Sequence, residues 1–405
     1  MYNSVLFNLT PIGKVLTMKR TMLLAVLLLA MASTMVMAQQ GQRQRPNQDA
    51  YKPKLYVNLP EWCHNPDGMT LCDETGVIYL NSPNFNNMTD GKKEFASTLS
   101  SIDKDGKFEK LLEYPPLEET GQCGPMGLDF GPDGNLYVCD NQYFHNTEHK
   151  SRILCVEMKD GKPTGKITTV IEGLKLPNAI VWIGNDLWFT DTFLDLPGEF
   201  GIGGLWRFKG DEILNQTQPI KVLPNGQDKR LVVKESVKKI GREDNGGADG
   251  MTVDKNGVIY FGNFGDGVMY AVTVDKTNDS VKCTKILDEE RFQCCDGIFY
   301  DPACDLIFIN DSMQNSIRVM TPIREGGTRV FCWTLWENGD TDGADGLLDQ
   351  PCECVVRDGK MIIANFDWPF PGLKNEAFDK PYTLSVIDMA PFYAAMERMR
   401  QQRQQ

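Results

Sequence analysis

Histidine is nearly missing from this chain: His64, His145 and His149 are the only three in 405 residues. No G-x-S-x-G run presents a serine either, so a hydrolase built on a Ser-His-Asp relay has neither its elbow nor a well-placed base. Cys-x-x-Cys is also absent, although there are 12 cysteines. Without Cys or His at ligand spacing, a tetrahedral zinc site is not expected. Basic residues run short, 42 against 55 acidic, and residues 1–38 contain no acid at all.

That acid-free stretch has Lys19 and Arg20 ahead of an apolar run from Met22 to Ala32, and it ends on Val36, Met37 and Ala38. It reads as a secretory signal peptide over 1–38, starting at Met18 and cut before Gln39, which predicts a secreted or periplasmic protein. A retained anchor is the rival reading, but the run is short for a span and no stable membrane insertion is expected after cleavage. Losing Lys14, Lys19 and Arg20 leaves 39 basic against 55 acidic residues, a formal charge of −16. Such a surface repels nucleic acid and anionic lipid and favours cations; solubility alone also accounts for it. Export would permit disulfides, yet Cys139, Cys155 and Cys332 lie in apolar runs and read as core, where a thiol acts as a small hydrophobe. The pairing stays open. Residues 39–50, rich in Gln, Arg and Pro, are expected to be a disordered lead-in.

What is abundant is repetition. A short apolar strand, a turn of Asp and Gly, and a second apolar strand ending in Asn or Asp recur six times. The copies are PDGMTLCDETGVIYL from Pro66, PMGLDFGPDGNLYVCD from Pro125, PNAIVWIGNDLWFTD from Pro177, ADGMTVDKNGVIYFGN from Ala248, CDGIFYDPACDLIFIND from Cys295 and CECVVRDGKMIIANFD from Cys352. Their lead positions, Asp67, Met126, Asn178, Asp249, Asp296 and Glu353, are 59, 52, 71, 47 and 57 residues apart. Such spacing suits the four-stranded blades of an all-β, six-bladed β-propeller filling 51–390.

Each copy supplies a blade's inner two strands, and alternating segments downstream supply the outer two. The last blade shows a single outer strand, YTLSVID from Tyr382. KLYVNL from Lys54 is the predicted fourth, an N-terminal strand that joins the last blade and closes the ring. Two insertions, Asn225 to Gly247 and Phe366 to Lys380, are long enough to cover a site. Residues 391–405 form a C-terminal tail with the makings of a short helix.

The first strand of a blade lines the central channel, and the antiparallel second strand ends at the same face. The lead residues therefore form a rim. Asn81, Asp140, Asp191, Asn263, Asp311 and Asn365 are expected to form a second circle behind it. Carboxylates crowded in this way repel one another unless protonated or neutralised by a cation. Oxygen-only ligands favour one hard divalent ion, Ca²⁺ first, with Mg²⁺ or Mn²⁺ as alternatives. Asp before Gly is also a common turn element that caps backbone amides; for Asp67 and Asp296 in particular both readings stand.

LPNAIVWIGNDLWFTD and ADGMTVDKNGVIYFGNFGDGVMYAV resemble the Asn-bearing and Asp-bearing metal strands of the senescence marker protein and gluconolactonase family of six-bladed propellers. The family's metal-binding Glu is matched in type by Glu353 if the ring is read with a circular offset, since there it opens the first blade and here the last; without the offset Asp67 takes that position, keeping the charge but not the residue. A further Asn of the family falls at Met126. The resemblance implies a divalent ion held by Glu353, Asn178 and Asp249, with Asp249 as the catalytic proton acceptor, and hydrolysis of a sugar lactone. Asp67, Asp296, Asp140, Asp191 and Asn263 are further rim candidates. Trp368 and Tyr143 are candidates for stacking on a sugar face. A secreted propeller that binds a carbohydrate or protein without catalysis is the alternative, favoured by Met126 and the enlarged loops; oligomeric state is not specified.

Overall fold

The computed structural model describes residues 48–85, 94–145, 148–194, 196, 201–224, 226–237, 246–287, 293–324, 326–369 and 372–404. The expected signal peptide and most of the lead-in lie outside these residues. Gln48–Tyr51 form a 3-10 turn, so the lead-in does not run unstructured to residue 50. Residues 51–405 make one compact unit.

Six antiparallel sheets are present among the described residues. The first blade is Met69–Cys72, Val77–Ser82, Thr98–Ile102 and Phe108–Glu113. The second is Pro125–Phe130, Leu136–Asp140, Ser151–Lys159 and Lys162–Leu174, with the short Ile220–Lys221 added in parallel at its outer edge. The third is Pro177–Ile183, Asp186–Asp191, Ile202–Lys209 and Leu231–Ser236. Ala248–Val253, Ile259–Asn263, Met269–Val274 and Val281–Leu287 make the fourth. The fifth is Ile298–Asp301, Leu306–Asp311, Ser316–Met320 and Cys332–Glu337.

The sixth takes Pro351–Arg357, Lys360–Asn365 and Thr383–Asp388 from the C-terminal end and Lys54–Asn58 from the N-terminal end. Lys54–Asn58 pairs antiparallel with Thr383–Asp388. Part of the Asn225–Gly247 insertion is thus no loop but the third blade's outermost strand.

Burial explains the strand sequences. Leu136–Asp140, Ile259–Asn263 and Leu306–Asp311 are buried at every position, so they read as continuous apolar runs, because both faces are covered by other layers. Outer strands such as Phe108–Glu113 are only partly covered and carry charge. The C-terminal segment is a helix, Ala390–Gln404. It buries Phe392 against Tyr51 and Phe308 at ring distances of 5.9 and 5.6 Å, and the Tyr393 hydroxyl donates to Asp301 Oδ2 at 2.7 Å. Among the described residues no helix is long and apolar enough to cross a membrane. All twelve cysteines are free thiols.

Candidate functional site

Register decides which side chain of each blade reaches the axis. Pro125 pairs with Asp140, Pro177 with Asp191, Ala248 with Asn263 and Pro351 with Asn365, and each inner strand then bulges before regular pairing resumes. The residue after each of these four is Met126, Asn178, Asp249 and Cys352. Asp67 and Asp296 hold the same place in their blades, each donating its backbone N–H to the neighbouring strand, at Asn81 O and Asn310 O. All six residues line one cavity of about 240 Å³.

Glu353 is therefore one position off the expected rim and is not among the lining residues. It occupies the step filled by Gly68, Gly127, Ala179, Gly250 and Gly297 in the other blades. There a β-carbon on Gly250 or Gly297 would run into the backbone carbonyl of the next blade, at Asp296 or Cys352. Gly297 N–H donates to Cys352 O at 2.6 Å, joining the blades directly. The Glu353 carboxylate accepts from Cys354 N at 2.9 Å and lies close enough to Asp296 and Asp67 to feel both charges.

Four acids thus lie close together, Asp67 and Asp249 buried, Asp296 and Glu353 half-buried. Burial pushes the Asp249 carboxyl well above the usual range, and Asp296, Asp67 and Glu353 push it further, against a hydrogen bond from the Asn178 side chain. Asp67 is raised by burial and then by Asp296; Glu353 is raised by burial, with Asp296 and Asp67 adding to it. Asp296 is pushed up to about 7 by burial, opposed by hydrogen bonds from Ser312 and the Gly297 amide. Asp249 Oδ1 is buried with no hydrogen-bond partner. The oxygens of Asp67, Asn178, Asp249 and Asp296, one of them orphaned, fit a hard cation, whereas Met126 and Cys352 on the same rim do not. Even so, among the described residues the group of three or more Asp, Glu, His or Cys ligand atoms that lie within 4.8 Å of one another is elsewhere, at Asp349, Asp367 and Asp379.

The second circle does structural work. Asp140 accepts from the Gly124 amide at 2.8 Å and pairs with Arg152 at 2.7 Å. Asp191 accepts from the Leu176 amide at 2.7 Å and from Trp206 Nε1 at 3.3 Å. Asp311 pairs with Arg318 at 3.3 Å. Asn365 holds Thr383 and Ser385. Asp140, Asp191 and Asn263 are buried and do not line the cavity. Asn81 sits one residue before its expected place, which Ser82 fills, and ties Met126 O to the Tyr114 hydroxyl at 2.7 and 2.8 Å.

Aromatic side chains form the cavity wall. Trp368 lines it with Phe144, Phe193, Phe264 and Phe366. Trp368 is packed by Phe85, Phe144 and Phe366 at 5.1, 5.2 and 5.8 Å, and its backbone N–H is held by Gln350 Oε1. Tyr143 is absent from the lining: it stacks on Phe193 at 5.0 Å, and its neighbour Phe144 takes the place expected of it. Phe193 and Phe264 follow the second-circle positions by one or two residues, a signal the repeat contained.

No protein-family model matches the chain, and comparison with curated protein sequences finds no match. Solved structures do match. An aldose sugar dehydrogenase from Streptomyces coelicolor, in its PQQ-bound form, superposes with a TM-score of 0.52 at 14% identity, covering 83% of this chain and 97% of that one. A luciferin-regenerating enzyme gives 0.51 at 12%, covering 83% and 93%, and a gluconolactonase from Xanthomonas campestris gives 0.49 at 10%, covering 84% and 96%. At these identities the likeness carries the fold alone: the chain is a six-bladed β-propeller whose structural neighbours include gluconolactonase-like and luciferin-regenerating propeller enzymes.

Proposed function

We propose that this propeller is a divalent-cation-dependent hydrolase that opens a sugar lactone or related ester at the channel mouth. The observation carrying this reading is the set of four mutually repelling acids, Asp67, Asp249, Asp296 and Glu353, two of them buried and two half-buried, beside Asn178 and an aromatic wall. Asp249 and Asn178, with Asp67 or Asp296 beside them, would hold the ion, Ca²⁺ first, and Glu353 would add its charge without lining the cavity. A bound ion of this kind supplies Lewis acidity to a carbonyl oxygen and acidifies a water. Asp249, whose Oδ1 is free of other bonds, takes the proton that the attacking water loses. Asn178 orients that carboxylate through its hydrogen bond. Trp368 and Phe366 offer flat apolar faces to a sugar ring and exclude bulk water from the acids below.

A second reading, a binding ring without turnover, draws on Met126 and Cys352. These occupy two of the six rim positions with side chains that a hard ion does not favour. The test is acid release from a panel of aldonolactones by chelator-treated protein, with Ca²⁺, Mg²⁺ or Mn²⁺ restored singly. Turnover that requires the ion and falls at least a hundredfold in Asp249→Asn supports the hydrolase. Ion-dependent sugar binding with no acid release supports the binding ring.

A further inference from the structure

A second acidic cluster stands apart from the cavity-lining residues. Carboxylate oxygens of Asp349, Asp367 and Asp379 lie within 4.8 Å of one another. They come from two loops: the connection that enters the sixth blade, and the insertion after that blade's second strand. Asp349 and Asp367 are 3% and 2% exposed, so neither charge is relieved by water.

The hydrogen bonding around the trio is one-sided. Asp367 accepts from Asn375 Nδ2 at 3.0 Å and from the Asp379 amide at 2.8 Å. Asp349 has no comparable partner for its buried Oδ1. The lysines of the same insertion are committed elsewhere, Lys374 to Glu337 at 2.6 Å and Lys380 to Glu94 at 3.6 Å. The nearby charges that act on Asp349 are more carboxylates: Asp367, Asp379, Asp340 and Asp342. Two buried acids with an orphaned oxygen between loops are costly unless a cation meets them.

We infer that Asp349, Asp367 and Asp379 bind a calcium ion that fastens the Trp368-bearing insertion to the entrance of the sixth blade. A Ca²⁺ ion sits about 2.3–2.6 Å from each oxygen, so ligands around it can lie up to about 5 Å apart, and the three oxygens here fall within that reach. Mg²⁺ asks for shorter bonds and a stricter octahedron, which carboxylates from two separate loops are less suited to supply. The chain geometry makes room for the trio: Gly343, at φ +68°, passes so closely that a β-carbon there would lie 3.2 Å from Asp349 Oδ2. Asp367, itself at φ +47°, directly precedes Trp368, so an ion held here fixes the wall of the cavity without entering it.

The site is independent of the channel ion, and the experiment separates them. The full chain, stripped with chelator, is titrated with Ca²⁺ alone by calorimetry, and its thermal midpoint is followed in parallel. In Asp249→Asn, where the channel is impaired, one Ca²⁺ is still expected to bind and to raise the midpoint. Adding Asp349→Asn should weaken that binding at least tenfold and remove the rise, while Asp349→Asn alone keeps the channel's response. Asp379→Asn, at a half-buried edge position, gives a second variant should Asp349→Asn fold poorly. Undiminished Ca²⁺ binding in the Asp249→Asn, Asp349→Asn double variant, or no Ca²⁺ binding in Asp249→Asn, overturns the inference. Loss of lactone opening with this binding intact would touch only the channel.

Discussion

Gly297 and Glu353 fit against each other across the seam between the fifth and sixth blades: a β-carbon on Gly297 would lie 2.6 Å from Glu353 Oε1 and would also strike the carbonyl of Cys352. The side chain could swing aside, but the carbonyl cannot move without opening the interblade bond it accepts from Gly297 N. Gly297→Ala is therefore expected to cost about 1–3 kcal/mol or more, the range for overpacking a tight core, read from urea midpoints. Gly134→Ala, with nothing within 4 Å but φ at +77°, should be milder, about 1 kcal/mol.

Removing one channel acid should have opposite effects with and without a cation. Glu353→Gln or Asp67→Asn relieves repulsion among buried carboxylates, so the metal-free protein should melt at a higher temperature than the unaltered chain. The same variants should need at least tenfold more Ca²⁺ to reach the same midpoint shift. A variant that is less stable in chelator would show that the acids are held by the fold rather than in conflict within it.

Metal-free stability should also fall as pH rises. Asp296 and Asp191 are pushed up to about 7, Asp129 and Asp311 to about 6, each chiefly by burial, from an ordinary 3.8. Between about pH 4 and 7 the folded chain then holds more protons than the unfolded one. Each such group lowers stability by up to about 1.4 kcal/mol per pH unit in that window. Urea midpoints in chelator should drop from pH 5 to pH 8, and saturating Ca²⁺ should reduce the drop. A flat profile in chelator would contradict this.

Arg357 provides a test of ring closure. It is 7% exposed and donates to Gly76 O and Ile102 O at 3.0 and 2.9 Å in the first blade and to the Tyr56 hydroxyl at 2.7 Å in the N-terminal strand. Arg357→Met leaves three acceptors short of a donor, at about 1–3 kcal/mol for each that water does not reach. Limited proteolysis should then cut first near residues 51–60, and an unchanged digest would argue against the arginine as the clasp.

The number of blades and their inner strands were legible because a blade repeats its burial pattern, and burial selects residue type at every copy. Lys54–Asn58 could be placed by counting, since the last blade lacked one strand. Register at single-residue resolution was less legible. Glu353 resembles a rim acid in the sequence, but Pro351 pairing with Asn365 puts Cys352 there; the Gly or Ala that marks this step in the other five copies is missing from the sixth. Asp140 and Asp191 look like rim residues, and Asp311 like a residue just behind the rim, until their partners are known, and those partners, Arg152, Trp206 and Arg318, lie on third strands that the repeat does not cover. The Asp349, Asp367 and Asp379 trio could not be found by spacing, because its members sit in loops outside any repeat.

Sharing one blade between both ends of the chain sets the order in which the molecule can be finished. The strand made first, Lys54–Asn58, has no partner until Thr383–Asp388 has been synthesised. A ribosome that stalls before residue 383 therefore leaves an open arc with a bare edge at either end, the kind of edge that recruits other chains. Only a full-length polypeptide can hide both.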